Sequence, residues 1–228
     1  VRDLPADITR EPKVLAPQEI NPLRYEILYD EDGKRFGTTT EKLNDPLAVD
    51  SRARKPLVQT PATSVNFEGI GANGSAPPDP DGAVGPNHYI QVVNVRFQIF
   101  DKTGAALTVP IATNSLWTGF GGPCQNDNNG DGVFLYDQAA DRWVLTQFAV
   151  ATGQSVCFAV STTPDPTGTY YLYELQAQRF PDYFKLGVWP AADNNAYFMA
   201  TNSGFLNGYD VYAIDRANLI AGIAPRQA

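Results

Sequence analysis

The sequence predicts an all-β chain of repeated four-stranded antiparallel sheets, preceded by an N-terminal segment of different character. Three observations carry this. From Asn66 onward the chain breaks into short runs rich in Val, Ile, Phe, Tyr and Thr, each closed by turn residues. These runs recur at a spacing of about 54 residues: YIQVVN from Tyr89, WVLTQF from Trp143 and YFMATN from Tyr197. No stretch of helical period competes with them, since RANLIAGI near the end is at most one or two turns.

Residues 1–62 read as an extended arm rich in Pro and charge. Within it only LRYEILYD, Leu23 to Asp30, has strand character, with DEDG behind it as a turn. The arm offers too little apolar surface to offset its own ordering entropy, so it is expected to lie on something else. Residues 63–228 hold the repeats. Their strands are YIQVVN, RFQIF closed by DKTG, VFLYD closed by QAAD, RWVLTQFAV, SVCFAVSTT closed by PDPTG, TYYLYEL, AYFMATN and YDVYAID. A second series follows the first (RFQIFD from Arg96, VCFAVS from Val156, DVYAID from Asp210). A third precedes it: DGAVGP from Asp81, DGVFLYD from Asp131 and KLGVWP from Lys185.

Repeats of this length with about four strands are the blades of a β-propeller. About three blades are present, and a ring takes four to eight. Left open, the third sheet would expose a face and an edge to water. The ring is therefore expected to be completed by a further propeller segment, the preferred reading, or by other chains in a homo-oligomer or assembly.

The net charge of −8 and pI near 4.6 argue against nucleic acid or an anionic membrane as partner. No apolar run approaches the roughly 20 residues of a membrane-spanning helix. The first residue is Val1 and the one methionine is Met199, which predicts removal of an N-terminal segment, most simply a secretion signal. The two cysteines, Cys124 and Cys157, flank strand-like segments and fit one disulfide in an oxidising compartment. A secreted or cell-surface location follows as the expectation.

The motif with most chemical content is the loop before VFLYD. Asp127, Asn129 and Asp131 alternate ahead of Gly132, a pattern in which every second oxygen donor can converge on one cation. Gln138 stands where a calcium loop places its bidentate Glu, so Asp137 or Asp141 is the candidate to complete the set. A structural calcium ion held by Asp127, Asn129, Asp131 and Asp137 is the expectation. The alternative is a polar hairpin, because Asn, Asp and Gly are also turn formers.

DPDG, Asp79 to Gly82, reads as a cap at the start of a blade rather than a second ion site. DKTG at Asp101 and DPTG at Asp165 read as turns whose carboxylates accept backbone N–H groups. His88, the one histidine, precedes a strand without any nucleophile elbow and reads as structural. Arg96, Arg142, Arg179 and Arg216 are candidates for a carboxylate-binding cluster. Arg142 and Arg216 directly follow Asp, in ADR and IDR, and read instead as hairpin-turn residues.

PPDPDGAVGPNHYIQVVN, GDGVFLYDQAADRWVLTQF, CFAVSTTPDPTGTYYLYEL and FPDYFKLGVWP together resemble a group of secreted bacterial β-propeller proteins of poorly defined function. The turns at Asp101 and Asp165 are similar to the Asp-box turns of sialidase-like propellers. The resemblance runs from about Asn66 to Leu219 and implies an extracytoplasmic propeller, in a family whose members are generally longer. Phe184 and Ala191 stand where that family places Pro and Asp, so a role for an acid there is not carried over.

Two functions follow. The first is a non-catalytic, calcium-stabilised secreted or surface propeller that binds a protein or glycan, or builds an assembly. The alternative is a glycan-active, sialidase-like hydrolase using paired carboxylates. No acid pair stands out from the turn acids, which favours the first.

Overall fold

The structure, a computed structural model, describes residues 63–191, 194–202 and 208–226. The expected arm, with its strand at Leu23 to Asp30, lies outside the described residues. From Val65 onward the chain belongs to one compact unit.

Strands pair with their sequence neighbours, as short β-rich runs joined by tight turns should. The first sheet is β1 (Pro80–Val84), β2 (His88–Val93), β3 (Arg96–Asp101) and β4 (Ile111–Ala112), antiparallel in that order. A 3-10 turn at Thr113–Trp117 and a short helix α1 (Gly122–Asn126) lead to the second sheet. This comprises β5 (Phe134–Asp137), β6 (Arg142–Ala149), β7 (Ser155–Ser161) and β8 (Tyr170–Gln176), again in chain order. The third sheet has three strands among the described residues: β9 (Asp182–Ala191), β10 (Asn194–Asn202) and β11 (Tyr209–Asp215). Helix α2 (Arg216–Ala221) follows. It starts because Asp215 accepts a hydrogen bond from the Asn218 N–H, and it stops at Gly222 in the left-handed conformation. The fold is thus mostly β, with three antiparallel meanders.

The strand series occupy equivalent places. Tyr89, Trp143 and Tyr197 all lie on the second strand of their sheets. Tyr89 faces Val84 and Phe100, Trp143 faces Tyr136, and Tyr197 faces Val188 and Ile214. This pairing register corrects two alignments made on sequence. Cys157, not Val156, corresponds to Arg96 and Asp210. Val84, Tyr136 and Val188 also align. Asp81 and Lys185 therefore correspond as matched on sequence, but to Val133 and not Asp131. The residues two places before these are Asp79, Asp131 and Tyr183, because unequal hairpins move the register.

The second sheet is buried on both faces. Val144, Val156, Phe158 and Val160 meet Phe184, Tyr197, Met199, Tyr212 and Ile214 of the third sheet. On the opposite face Trp143, Leu145, Cys157 and Ala159 meet Ile90, Val92, Phe97 and Ile99 of the first sheet. Odd and even positions of β6 therefore serve different neighbours, which explains why every residue of the strand after Arg142 is buried.

Cys124 of α1 and Cys157 of β7 are joined, as expected, and both are fully buried. The bridge fastens the loop before β5 to the third strand of the same sheet. With a separation of 33 residues, removing it by the paired Cys124→Ala and Cys157→Ala substitutions should cost about 4 kcal/mol of denatured-state entropy. Urea midpoints of the oxidised protein and the double variant check this.

Candidate functional site

The first strands of the three sheets lie side by side: β5 packs beside β1 on one flank and beside β9 on the other. At their starts a cavity of about 120 Å³ opens, lined by Asp79, Pro80, Asp81, Asp131, Gly132, Tyr183 and Lys185. Each sheet contributes to it.

Asp79 (φ 39°), Asp131 (φ 49°) and Tyr183 (φ 43°) are the corresponding residues of the three repeats, and all three adopt the left-handed conformation. That conformation is uncommon outside glycine, and for a bulky Tyr it is an outlier that its surroundings must enforce. The same kink thus stands one residue ahead of β1, three ahead of β5 and at the second residue of β9. Gly132 is required beside it, since a β-carbon there would fall 2.9 Å from the Thr146 carbonyl oxygen. Asp81 crosses between sheets: its Oδ2 accepts the Phe134 N–H at 2.8 Å. Lys185 lies over the Tyr183 ring, 3.5 Å from its centroid.

Burial pushes the Asp131 carboxyl up to about 6, and the negative charges of Asp79 and Asp182 add to the effect. A backbone hydrogen bond from Tyr183 works in the opposite direction. The folded value lies above the unfolded one of about 3.9, so the native state binds the proton more tightly between them. Stability should therefore fall as pH rises from about 4 to about 6, and stay level above. Asp131→Asn, which tolerates the left-handed backbone, should flatten that fall. It should also gain about 1 kcal/mol at pH 7, the two-unit shift being scaled down for partial exposure. Melting temperature against pH for both proteins checks it.

The residues of the expected calcium loop enter different surroundings. Asp127 is buried and its Oδ2 accepts from the Thr152 N–H at 2.9 Å and hydroxyl at 3.0 Å. Asn129 Oδ1 accepts the N–H groups of Val150 (2.8 Å) and Ala151 (3.2 Å). Both side chains thereby hold the turn between β6 and β7. Asp131 faces the cavity. Asp137 is fully buried and bound by Arg216 Nε at 2.5 Å, Arg216 Nη2 at 2.9 Å and the Tyr197 hydroxyl at 2.7 Å. Among the described residues no three His, Cys, Asp or Glu side chains are grouped to hold a metal ion.

Arg216 is corrected by the structure. It is not a hairpin residue but the first residue of α2, and it reaches from the third sheet into the second. Arg179 pairs with Asp210, and Arg142 opens β6 after the hairpin. The ion pairs draw Arg179 and Arg216 to separate carboxylates, Asp210 and Asp137.

The two Asp turns match their reading. Asp101 Oδ1 accepts from Thr103 N–H (2.8 Å) and Oγ1 (2.6 Å), and Asp165 Oδ1 from Thr167 N–H (2.9 Å) and Oγ1 (2.8 Å). Both carboxyls are held below the usual range, Asp101 chiefly by the Thr103 hydroxyl and Asp165 chiefly by the Thr167 N–H. Both turns follow the third strand of their sheet. His88 is half-buried at the start of β2, opposite Asp101 in the ladder.

No family model matches the chain, and neither does any curated protein or solved structure.

Proposed function

We propose that the chain is a β-propeller segment of a secreted or cell-surface protein, acting as a non-catalytic binding or structural module. One observation supports this above the others: three first strands run side by side, and their corresponding residues share the same left-handed kink around one cavity. Inner strands of successive blades around a central channel have this relation. The buried disulfide suits an oxidising compartment, and among the described residues no helix is long and apolar enough to cross a membrane. The ring is completed by a further propeller segment or by other chains. The cavity, walled by carboxylates, one ammonium and a phenol, suits a hydroxyl-rich ligand such as a glycan, or a polar loop of a protein partner.

A glycan array and a panel of aryl glycosides test the reading. Binding without turnover, weakened by Asp81→Asn and Lys185→Ala, is expected. Turnover abolished by Asp81→Asn or Asp131→Asn would instead make it a hydrolase with paired carboxylates.

The proposal keeps a structural calcium ion as the reading of the alternating Asp127, Asn129 and Asp131 ahead of Gly132. Binding it requires Asp127 and Asn129 to exchange their bonds to Thr152, Val150 and Ala151 for the ion and converge with Asp131. Asp137 is left out of this set because both its oxygens are engaged by Arg216. Chelator-treated protein should melt higher in millimolar calcium, by linkage worth about 2.7 kcal/mol at a hundredfold excess over Kd. An unchanged melting temperature would remove calcium and leave the rest of the reading intact.

A further inference from the structure

The two junctions between neighbouring sheets are filled differently. Ile99 and Val160 correspond, as do Phe97 and Phe158, since they face equivalent residues of the second strand: Ile90 and Val144, then Val92 and Thr146. On the outer strands Ile111 faces Phe97 as Tyr173 faces Phe158. Between the second and third sheets, α2 packs on β7. Its Leu219 is fully buried in the core that also holds Phe158, Val160 and Tyr173, and the Leu219 carbonyl accepts the Tyr173 hydroxyl at 2.8 Å. Val160 and Ala213 hold the same register position, facing Val144 and Phe198. Leu219 therefore corresponds to Pro166, at the same distance in sequence beyond the third strand.

The second sheet has no helix at that point. Its third strand runs into the turn held by Asp165, whose residues Pro166, Thr167, Gly168 and Thr169 offer no long apolar side chain. Where the other junction has a buried leucine, this one holds a cavity of about 400 Å³. Phe97, Ile99, Ile111 and Leu116 line it from the first sheet and the 3-10 turn, Tyr170 and Leu172 from β8. It shares no lining residue with the cavity at the starts of β1, β5 and β9. A core cavity of roughly 150 Å³ takes benzene, so this one admits a ring system with substituents.

Its chemistry narrows the occupant. None of the residues lining it carries a charge. The Ser115 hydroxyl donates to the Ala112 carbonyl at 2.6 Å, the Thr167 hydroxyl to Asp165 Oδ1 at 2.8 Å, and the Tyr170 hydroxyl to the Pro166 carbonyl at 2.6 Å. Their hydrogens are committed, and their oxygens remain as acceptors. We propose that this cavity binds a small uncharged aromatic molecule bearing one N–H or O–H donor. Its ring lies against the apolar floor, where Phe97 and Tyr170 supply aromatic faces from opposite sheets, and its donor meets the hydroxyl rim. An apolar pocket of this size with a few polar groups is the usual form of a small-molecule site. A charged ligand would lose its hydration here without gaining a partner of opposite sign.

Titration of the full 228-residue chain with indole, followed through its amide NMR signals, tests this. Saturable shifts are expected at Thr108, Gly168 and Leu172 and none at Asp81 or Gly132, with a Kd of about 1 mM, ordinary for so small a ligand. Benzofuran, in which oxygen replaces the indole N–H, should bind roughly threefold more weakly for want of one hydrogen bond. Indole-2-carboxylate should bind roughly tenfold more weakly because its charge goes unpaired. Ile111→Trp and, separately, Leu116→Trp put a ring into the cavity from half-buried positions and should abolish the shifts. Val84→Trp, at an exposed site on β1, should leave them unchanged. A chain without saturable shifts at the cavity up to about 10 mM indole, beyond any useful affinity, would overturn the proposal. So would shifts indifferent to both cavity variants, and equal affinity for indole and benzofuran would overturn the ligand class. The shift map of the unaltered chain decides the site even where a variant fails to fold. The propeller reading is untouched by these results, since the cavity lies between two sheets whatever completes the ring.

Discussion

Replacing Arg216 with alanine should destabilise the protein by about 3–5 kcal/mol at pH 7, the largest single-residue effect expected outside the apolar core. Asp137 is fully buried and Arg216 only 7% exposed. The guanidinium makes two hydrogen bonds to the carboxylate and a third, from Nη1, to Asn195 Oδ1 at 2.8 Å. Without it a carboxylate is stranded in the interior, with only the Tyr197 hydroxyl and the Ala140 N–H to bond. Burial by itself raises the Asp137 carboxyl, but the bonds from Arg216 and Tyr197 outweigh it and hold the group below the usual range.

The depressed folded value places this contribution above the unfolded pKa of about 3.9, and it is lost as pH falls from there. In Arg216→Ala the direction reverses, since the unpaired carboxyl binds its proton more readily. The gap in melting temperature between the two proteins should therefore be widest near pH 7 and narrow toward pH 4. A gap constant with pH would mean that Arg216 acts through packing alone. The double variant Asp137→Asn with Arg216→Met should recover much of the loss, because it removes the stranded charge along with its partner.

This pair also marks where sequence reasoning ended. Asp137 was legible as an acid at the end of a strand and Arg216 as the residue after an acid, but nothing local joins positions so far apart. Patterns that depend on neighbours were read well. The short β-rich runs placed β2, β3, β6, β7 and β11 within a residue or two, and DKTG and DPTG placed the two turns whose carboxylates accept backbone N–H groups. The disulfide followed from the count of two cysteines and the strand-like segments they flank. Hairpin length was harder: matching DG to DG aligned Asp81 with Asp131, whereas the ladder aligns Asp79 with it, because register is set by pairing and not by composition. The β4 strand has two residues and α1 has five, too few for any period to be visible. The alternating loop acids were legible as oxygen donors. That two of them would hold the β6–β7 turn depends on a hairpin more than twenty residues downstream.

Trp143→Ala should cost about 3–5 kcal/mol, the range for emptying a large aromatic site in a packed core. Trp143 is fully buried on the face of β6 that meets the first sheet. Its ring packs on Tyr136, with centroids 4.9 Å apart, and its Nε1–H donates to the Pro164 carbonyl at 2.9 Å. One ring thus holds the hairpin of β5 and β6, the turn after β7 and the first sheet together. The contact with the first sheet is made at Gly85, in the turn between β1 and β2. A β-carbon there would lie 2.5 Å from Trp143 Cζ2 and 3.0 Å from Cη2, closer than packed atoms come. Gly85→Ala should accordingly destabilise by about 1–3 kcal/mol through overpacking. The two substitutions should not add: with the indole gone, the methyl at position 85 enters vacated space. A double-mutant cycle read by chemical denaturation should give a coupling of about 1 kcal/mol or more, in the direction of rescue. Strict additivity would mean that Gly85 is required for its backbone and not for its closeness to the ring. The packing of the first sheet on the second would then rest on Ile90, Val92, Phe97 and Ile99 without this aromatic contact.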